Sequence, residues 1–122
     1  MPVRKIASRN TSAFDKYVVT CWQPGCFNIN VTLKADSGDP DLFVSKDPDI
    51  RLTNPEVDDI NFGEIHSGCT NCECTSETSE IDACSINVAE SFFYVAVLAY
   101  EAYTNCTITF SGSYLKDVSA MG

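Results

Sequence analysis

The sequence is short of positive charge. Eight Lys and Arg stand against seventeen Asp and Glu, a net charge of −9 and a pI of about 4.3. That balance argues against nucleic acid as a partner, because phosphate binding needs a clustered cationic surface. It disfavours an anionic membrane surface for the same reason. Histidine is nearly absent: His66 is the single one. There is no Gly-x-Ser-x-Gly elbow either, so the familiar constellations of nucleophilic catalysis are missing. The abundant acids read as solvated surface, and no catalytic residue is expected. No apolar run is long enough to cross a bilayer, so direct membrane insertion is not expected. The residues from Met1 to Lys5 lead into polar sequence and do not resemble a signal peptide. The chain therefore reads as a segment of a larger secreted or cell-surface ectodomain, whose parent supplies the signal and any anchor. Helical periodicity is weak throughout, and no internal repeat is evident.

Cysteine is plentiful. Seven in 122 residues point to an oxidising compartment and a disulfide-stabilised fold. Three glycosylation sequons agree with that compartment, at Asn10, Asn30 and Asn105. Two of them fall on strands with their apolar neighbours on the opposite side. Phe27, Ile29, Val31 and Leu33 share one face and Asn30 the other. Cys106, Ile108 and Phe110 share one face and Asn105 points away.

The hydrophobic pattern predicts seven short strands: 14–22, 26–35, 41–46, 60–66, 81–88, 92–100 and 105–111. Turn signals separate them, such as Gln23-Pro24-Gly25 between Cys21 and Cys26. The strand at 92–100 is apolar on both faces, as a buried central strand should be. Residues 1–13 read as a flexible lead-in, 14–115 as a single domain with a Cys-rich loop at 67–80, and 116–122 as a tail. One domain of this length buries one core. The fold class expected is all-β, a jelly-roll-like antiparallel β-sandwich.

Two side-chain clusters carry chemistry. Asp36, Asp39 and Asp41 place three carboxylates around Gly38 and Pro40, a supply of oxygen ligands for calcium. The same carboxylates suit the capping of turn and strand-end amides. Asp47, Asp49, Asp58 and Asp59 would complete a calcium site if their loop folded over the turn. No other cofactor is called for. His66, Cys69, Cys72 and Cys74 have the ligand types of a zinc site. The oxidising compartment favours disulfides there instead, and Cys72 and Cys74 are close for a two-knuckle site. Cys21 is expected to pair with Cys26 across their turn. Cys84 is a candidate partner for inward-facing Cys106, and Cys69 for Cys74 or Cys72. One of the seven is left odd, to pair with a partner chain or with a mate elsewhere in the parent. Tyr100 and Tyr103, beside a loop expected at 101–104, are the candidates for an exposed aromatic contact.

The order of motifs resembles the pre-peptidase C-terminal domain family and its eukaryotic ectodomain relatives. That family shows an alternating strand, then Gly-Asp-x-Asp-Leu-Tyr-Val, a variable region, a Tyr-Tyr-Val-x-Val strand and a final Tyr-Thr-Leu-x-Val strand. The matching residues here run from Val31 to Leu33, Gly38 to Val44, Phe93 to Val97 and Thr107 to Phe110, within a span of residues 14–112. The resemblance implies a jelly-roll-like sandwich that accompanies an enzyme or surface protein without being catalytic. Some members bind collagen or other insoluble polymers, and some of those bind calcium. Three features depart from the pattern. Glu90-Ser91 replaces a glycine, the insert from Cys69 to Cys84 is additional, and the N-terminal segment is basic through Arg4, Lys5 and Arg9.

The function expected is recognition of a protein or extracellular polymer with a basic surface, through acidic loops gathered at one end of the sandwich. The alternative is a glycosylated structural spacer with no ligand of its own.

Overall fold

The computed structural model describes residues 3–53, 68–76 and 81–121. Within them the chain is all-β and every strand pairing is antiparallel. The strands are β1 (Val3–Arg9), β2 (Phe14–Cys21), β3 (Cys26–Lys34), β4 (Ser37–Ser45), β5 (Leu52–Thr53), β6 (Gly68–Cys69), β7 (Cys74–Ser76), β8 (Asp82–Val88), β9 (Phe92–Ser111) and β10 (Leu115–Ala120).

β9 organises the sandwich. From Phe92 to Leu98 it lies between β2 and β4, in a sheet ordered β10-β2-β9-β4-β7. From Tyr103 to Ser111 it lies between β1 and β3, in a sheet ordered β1-β9-β3-β8. One strand thus passes from one sheet to the other. The sequence suggests two strands with a loop at 101–104, but those residues stay in the strand. The inward side chains are Phe93, Val95, Val97, Ala99 and Tyr103, and then Cys106, Ile108 and Phe110. The alternation changes phase at Asn105, which has φ +48°. Registers with β1 and β4 both slip beside it, the mark of a β-bulge that re-aims the strand. Consecutive strands alternate between the sheets (β2, β3, β4), a connectivity consistent with the jelly-roll expectation.

The main core fills the space between the sheets. β3 contributes Ile29, Val31 and Leu33, and β8 contributes Cys84, Ile86 and Val88 by strict alternation. A second, smaller cluster explains why β9 reads as apolar on both faces. Phe43, Ala96 and Leu98 face outward from their sheet, and Ile50 covers them together with Cys69, Cys72 and Tyr94. The described part of the Cys-rich insert, at Cys69 and Cys72, is therefore a lid on the outer face of one sheet.

Several boundaries differ from the sequence reading. Residues 3–9 are a strand where a flexible lead-in is expected, because Ile6 enters the core at 1% exposure while charged neighbours mask the alternation. Most of the expected tail is β10, anchored by Val118 against β2. β4 begins at Ser37, four residues before the expected start. Pro40 is tolerated because β7 pairs only with residues 42–44, so its missing N–H costs no ladder bond there. Phe27 is only half-buried, since a register slip between Cys26 and Ile29, with Asn28 at φ +54°, turns it off the inward face. The strand expected at 60–66 lies outside the described residues.

Three disulfides brace the fold. Cys21 joins Cys26 across the β2–β3 turn, and Cys69 joins Cys72 within the lid. Cys74 joins Cys84, so the expected Cys84–Cys106 bridge is not formed. β7 and β8 bring Cys74 to Cys84, whereas Cys106 lies on β9 beyond β3. Cys106 is a free thiol at 1% exposure, too buried to pair with a partner chain.

Candidate functional site

The acidic loops do not share one end of the sandwich. Asp36 precedes β4 and Asp47 follows it, and a nine-residue strand separates them by roughly 27 Å. Asp47 and Asp49 therefore cannot complete a site at the Asp36 turn. That turn is also dispersed. Asp36 is exposed and accepts a hydrogen bond from Asn105 Nδ2 at 3.0 Å, while Asp41 is buried at 4% exposure. Asp39 has one buried oxygen with no hydrogen-bond partner among the described residues. Burial pushes its pKa up, and the charges of Asp82 and Glu101 push it the same way. Among the described residues no group of three or more His, Cys, Asp or Glu side chains could hold a metal ion. His66, Asp58 and Asp59 lie outside those residues. Cys69, Cys72 and Cys74 are all in disulfides and are not thiolate ligands.

The other end carries a built loop surface. Asn71, between the two cysteines of the lid bridge, ties it to the segment after β4. Its Nδ2 donates to the Asp49 carbonyl at 2.7 Å, its Oδ1 accepts from the Arg51 amide at 2.9 Å, and its carbonyl accepts from Ser45 Oγ at 2.6 Å. Within the segment, Asp47 Oδ1 accepts from the Asp49 amide at 2.9 Å. Ile50 is buried beneath, and the exposed side chains include Lys46, Asp47, Asp49, Arg51, Thr70 and Glu73. Arg51 reaches Asp49 at 3.4 Å and Lys46 reaches Glu90 at 3.9 Å, so the patch is acidic through Asp47 and Glu73, which form no salt bridge among the described residues. The result is a polar surface whose backbone is fixed by a disulfide, an asparagine and an apolar plug.

The aromatic candidates are reassigned. Tyr103 is 1% exposed, so it belongs to the core and makes no surface contact. Burial holds its hydroxyl well above the usual range. Tyr100 is half-buried. Among the described residues the most exposed aromatic is Trp22, at 55% exposure in the β2–β3 turn, with Lys116 Nζ 4.6 Å from its ring centre. The sequence holds the signal for it: a Trp inside a Cys-closed turn between two strands can only sit at a tip.

The sequon residues Asn10, Asn30 and Asn105 are all exposed. Asn30 accepts from Ser85 Oγ at 2.9 Å. The thiol of Cys106 is pushed up to about 12 by burial, which removes it as a nucleophile at neutral pH.

No protein-family model matches this chain, and no curated protein matches it.

Proposed function

We propose that the chain is a non-catalytic extracellular recognition module of a larger protein, binding a protein or matrix polymer with a basic surface. The observation that carries this reading is the Asn71 bridge, which fixes an acidic loop surface in advance. A loop ordered before contact does not lose that conformational freedom on binding. Exposed loops on a rigid sheet scaffold are where recognition residues concentrate. Three disulfides support an oxidising, extracellular setting, and no helix among the described residues is long and apolar enough to cross a membrane. The motif resemblance to pre-peptidase C-terminal domains supports the same class of role. Asp47, Asp49 and Glu73 would meet the partner's cations, so the interaction should weaken with salt.

The test is retention of the isolated chain on fibrillar collagen and on an array of Lys- and Arg-rich peptides, at low and physiological ionic strength. Asp47→Asn/Asp49→Asn should cut retention severalfold, and Asn71→Ala should cut it while leaving those charges in place. Retention unchanged by all three substitutions would sink the loop surface. No retention on any surface would leave the spacer reading standing.

A further inference from the structure

The sandwich is closed on one side and open on the other. The Cys74–Cys84 bridge joins the outer strands β7 and β8. On the opposite side the outer strands are β1 and β10, and a cleft of about 430 Å³ opens between them. Four of the chain's eight cations line it: Arg4, Lys5 and Arg9 from β1, and Lys16 from β2. These strands belong to different sheets, so the fold itself brings the cations together.

Among the described residues that line the cleft there is one carboxylate, and it is already engaged. Asp15 accepts from Arg9 Nε at 3.0 Å and from Arg9 Nη2 at 3.4 Å. Arg4, Lys5 and Lys16 form no salt bridge among the described residues, although the chain carries a large excess of acid. Aromatic faces support two of them. The Arg4 guanidinium is 5.5 Å from the Tyr17 ring centre, and Lys16 Nζ is 5.9 Å from that of Phe14. Such stacking restrains a cation without using its hydrogen-bond donors. Phe14 is itself 36% exposed and offers an apolar face beside the charges. Charge on an edge strand guards against edge-to-edge pairing, which suits Arg4, Lys5 and Arg9 on β1 but not Lys16, which lies on β2, an inner strand between β10 and β9. Guarding an edge requires neither a concavity nor a like-charged contribution from the facing sheet.

We propose that this cleft binds a compact oxyanionic ligand, one carrying sulfate, phosphate or carboxylate groups and no larger than about two sugar rings. The volume suits a ligand of that size. Arginine forks and ammonium groups are the usual partners of all three oxyanions. The acidic body of the domain repels a long polyanion, so the site selects short or terminal anionic groups. It is separate from the acidic loop surface and opposite to it in sign.

The test is calorimetric titration of the whole chain at low ionic strength with a sulfated disaccharide, a phosphorylated disaccharide, citrate and an uncharged disaccharide. At least one of the three anions should bind and the uncharged sugar should not. Which anion binds best identifies the source of the oxyanion. Lys5→Glu/Lys16→Glu should weaken binding at least tenfold. Lys34→Glu/Lys46→Glu, the same change in net charge away from the cleft, should weaken it less than about twofold. If the first pair lowers the thermal midpoint, Lys5→Ala/Lys16→Ala replaces it. NMR shifts on the unaltered chain should map to Lys5, Phe14 to Tyr17 and Ala120. Equal weakening by the two pairs, shifts confined to other strands, or no binding of any anion would each overturn the proposal.

Discussion

Cys74 and Cys84 link the outermost strand of one sheet to the outermost strand of the other, with Cα atoms 6.0 Å apart. The Cys69–Cys72 bridge has no such reach, since its residues are three apart in sequence and both sit in the lid. Chain-entropy arguments give about 3 kcal/mol for the longer loop and less for the shorter. Cys74→Ala/Cys84→Ala should therefore lower unfolding free energy by about 3 kcal/mol. Cys69→Ala/Cys72→Ala should cost under about 2 kcal/mol. Urea unfolding of both variants checks the order, and a larger loss from the lid bridge would contradict it.

Cys106 makes alkaline stability a direct readout of the core. Burial raises its thiol from 9.0 to about 12, with the charges of Asp15 and Asp82 adding to the effect. The folded state therefore keeps a proton that the unfolded chain gives up. Stability is fully present below pH 9.0 and is lost as pH rises toward about 12. The slope from this thiol alone is about 1.4 kcal/mol per pH unit. Cys106→Ala should cost about 1 kcal/mol at neutral pH by opening a small cavity. Its stability should then fall less steeply than that of the unaltered chain between pH 9 and pH 10.5. Parallel pH profiles would mean that the thiol ionises without unfolding the core.

Glycan occupancy should differ among the sequons when the chain passes through a eukaryotic secretory pathway. Asn10 is exposed beside the β1–β2 turn and is expected to be modified. Asn105 sits in the β9 bulge with its amide nitrogen donating to Asp36. A glycan on that nitrogen competes with the hydrogen bond, so lower occupancy is expected there. Asp36→Ala should raise occupancy at Asn105 and leave Asn10 unchanged. Peptide mass mapping before and after glycan removal measures both, and full occupancy of Asn105 in the unaltered chain would refute the argument.

The parts of the fold legible in the sequence are those governed by local alternation. Ile29, Val31 and Leu33 on β3, and Cys84, Ile86 and Val88 on β8, face inward as their period of two requires. What escaped depends on contacts distant in sequence. β1 gives Ile6 to the core, and it becomes a strand because β9 offers it an edge. The continuity of β9 through Glu101 to Thr104 depends on two sheets meeting there, which no window of the sequence displays. The acidic loops look alike in composition, but which end each occupies is decided by strand direction. The cationic cleft joins residues from two sheets, so its charges read locally as a basic lead-in and an ordinary lysine.

Gly38 gives the sharpest single test of how the sheets are joined. The segment Gly38 to Val44 suggests a turn glycine, but Gly38 lies inside β4 at φ +96°, against the stretch of β9 that changes sheets. A Cβ there would overlap the Ala102 carbonyl oxygen and the Tyr103 Cα, both backbone atoms with little freedom to move aside. Two penalties therefore act together: a conformation unsuited to an L side chain and a clash with the backbone of the β9 crossing. Gly38→Ala should destabilise the domain by about 3 kcal/mol or more. Ser37→Ala, which removes only the exposed contact to Thr104 at 2.8 Å, should cost less than about 1 kcal/mol. Thermal unfolding of the two variants separates the cases. A loss below about 1 kcal/mol for Gly38→Ala would mean that the β9 crossing yields, and that close packing at this glycine does not hold the sheets in place.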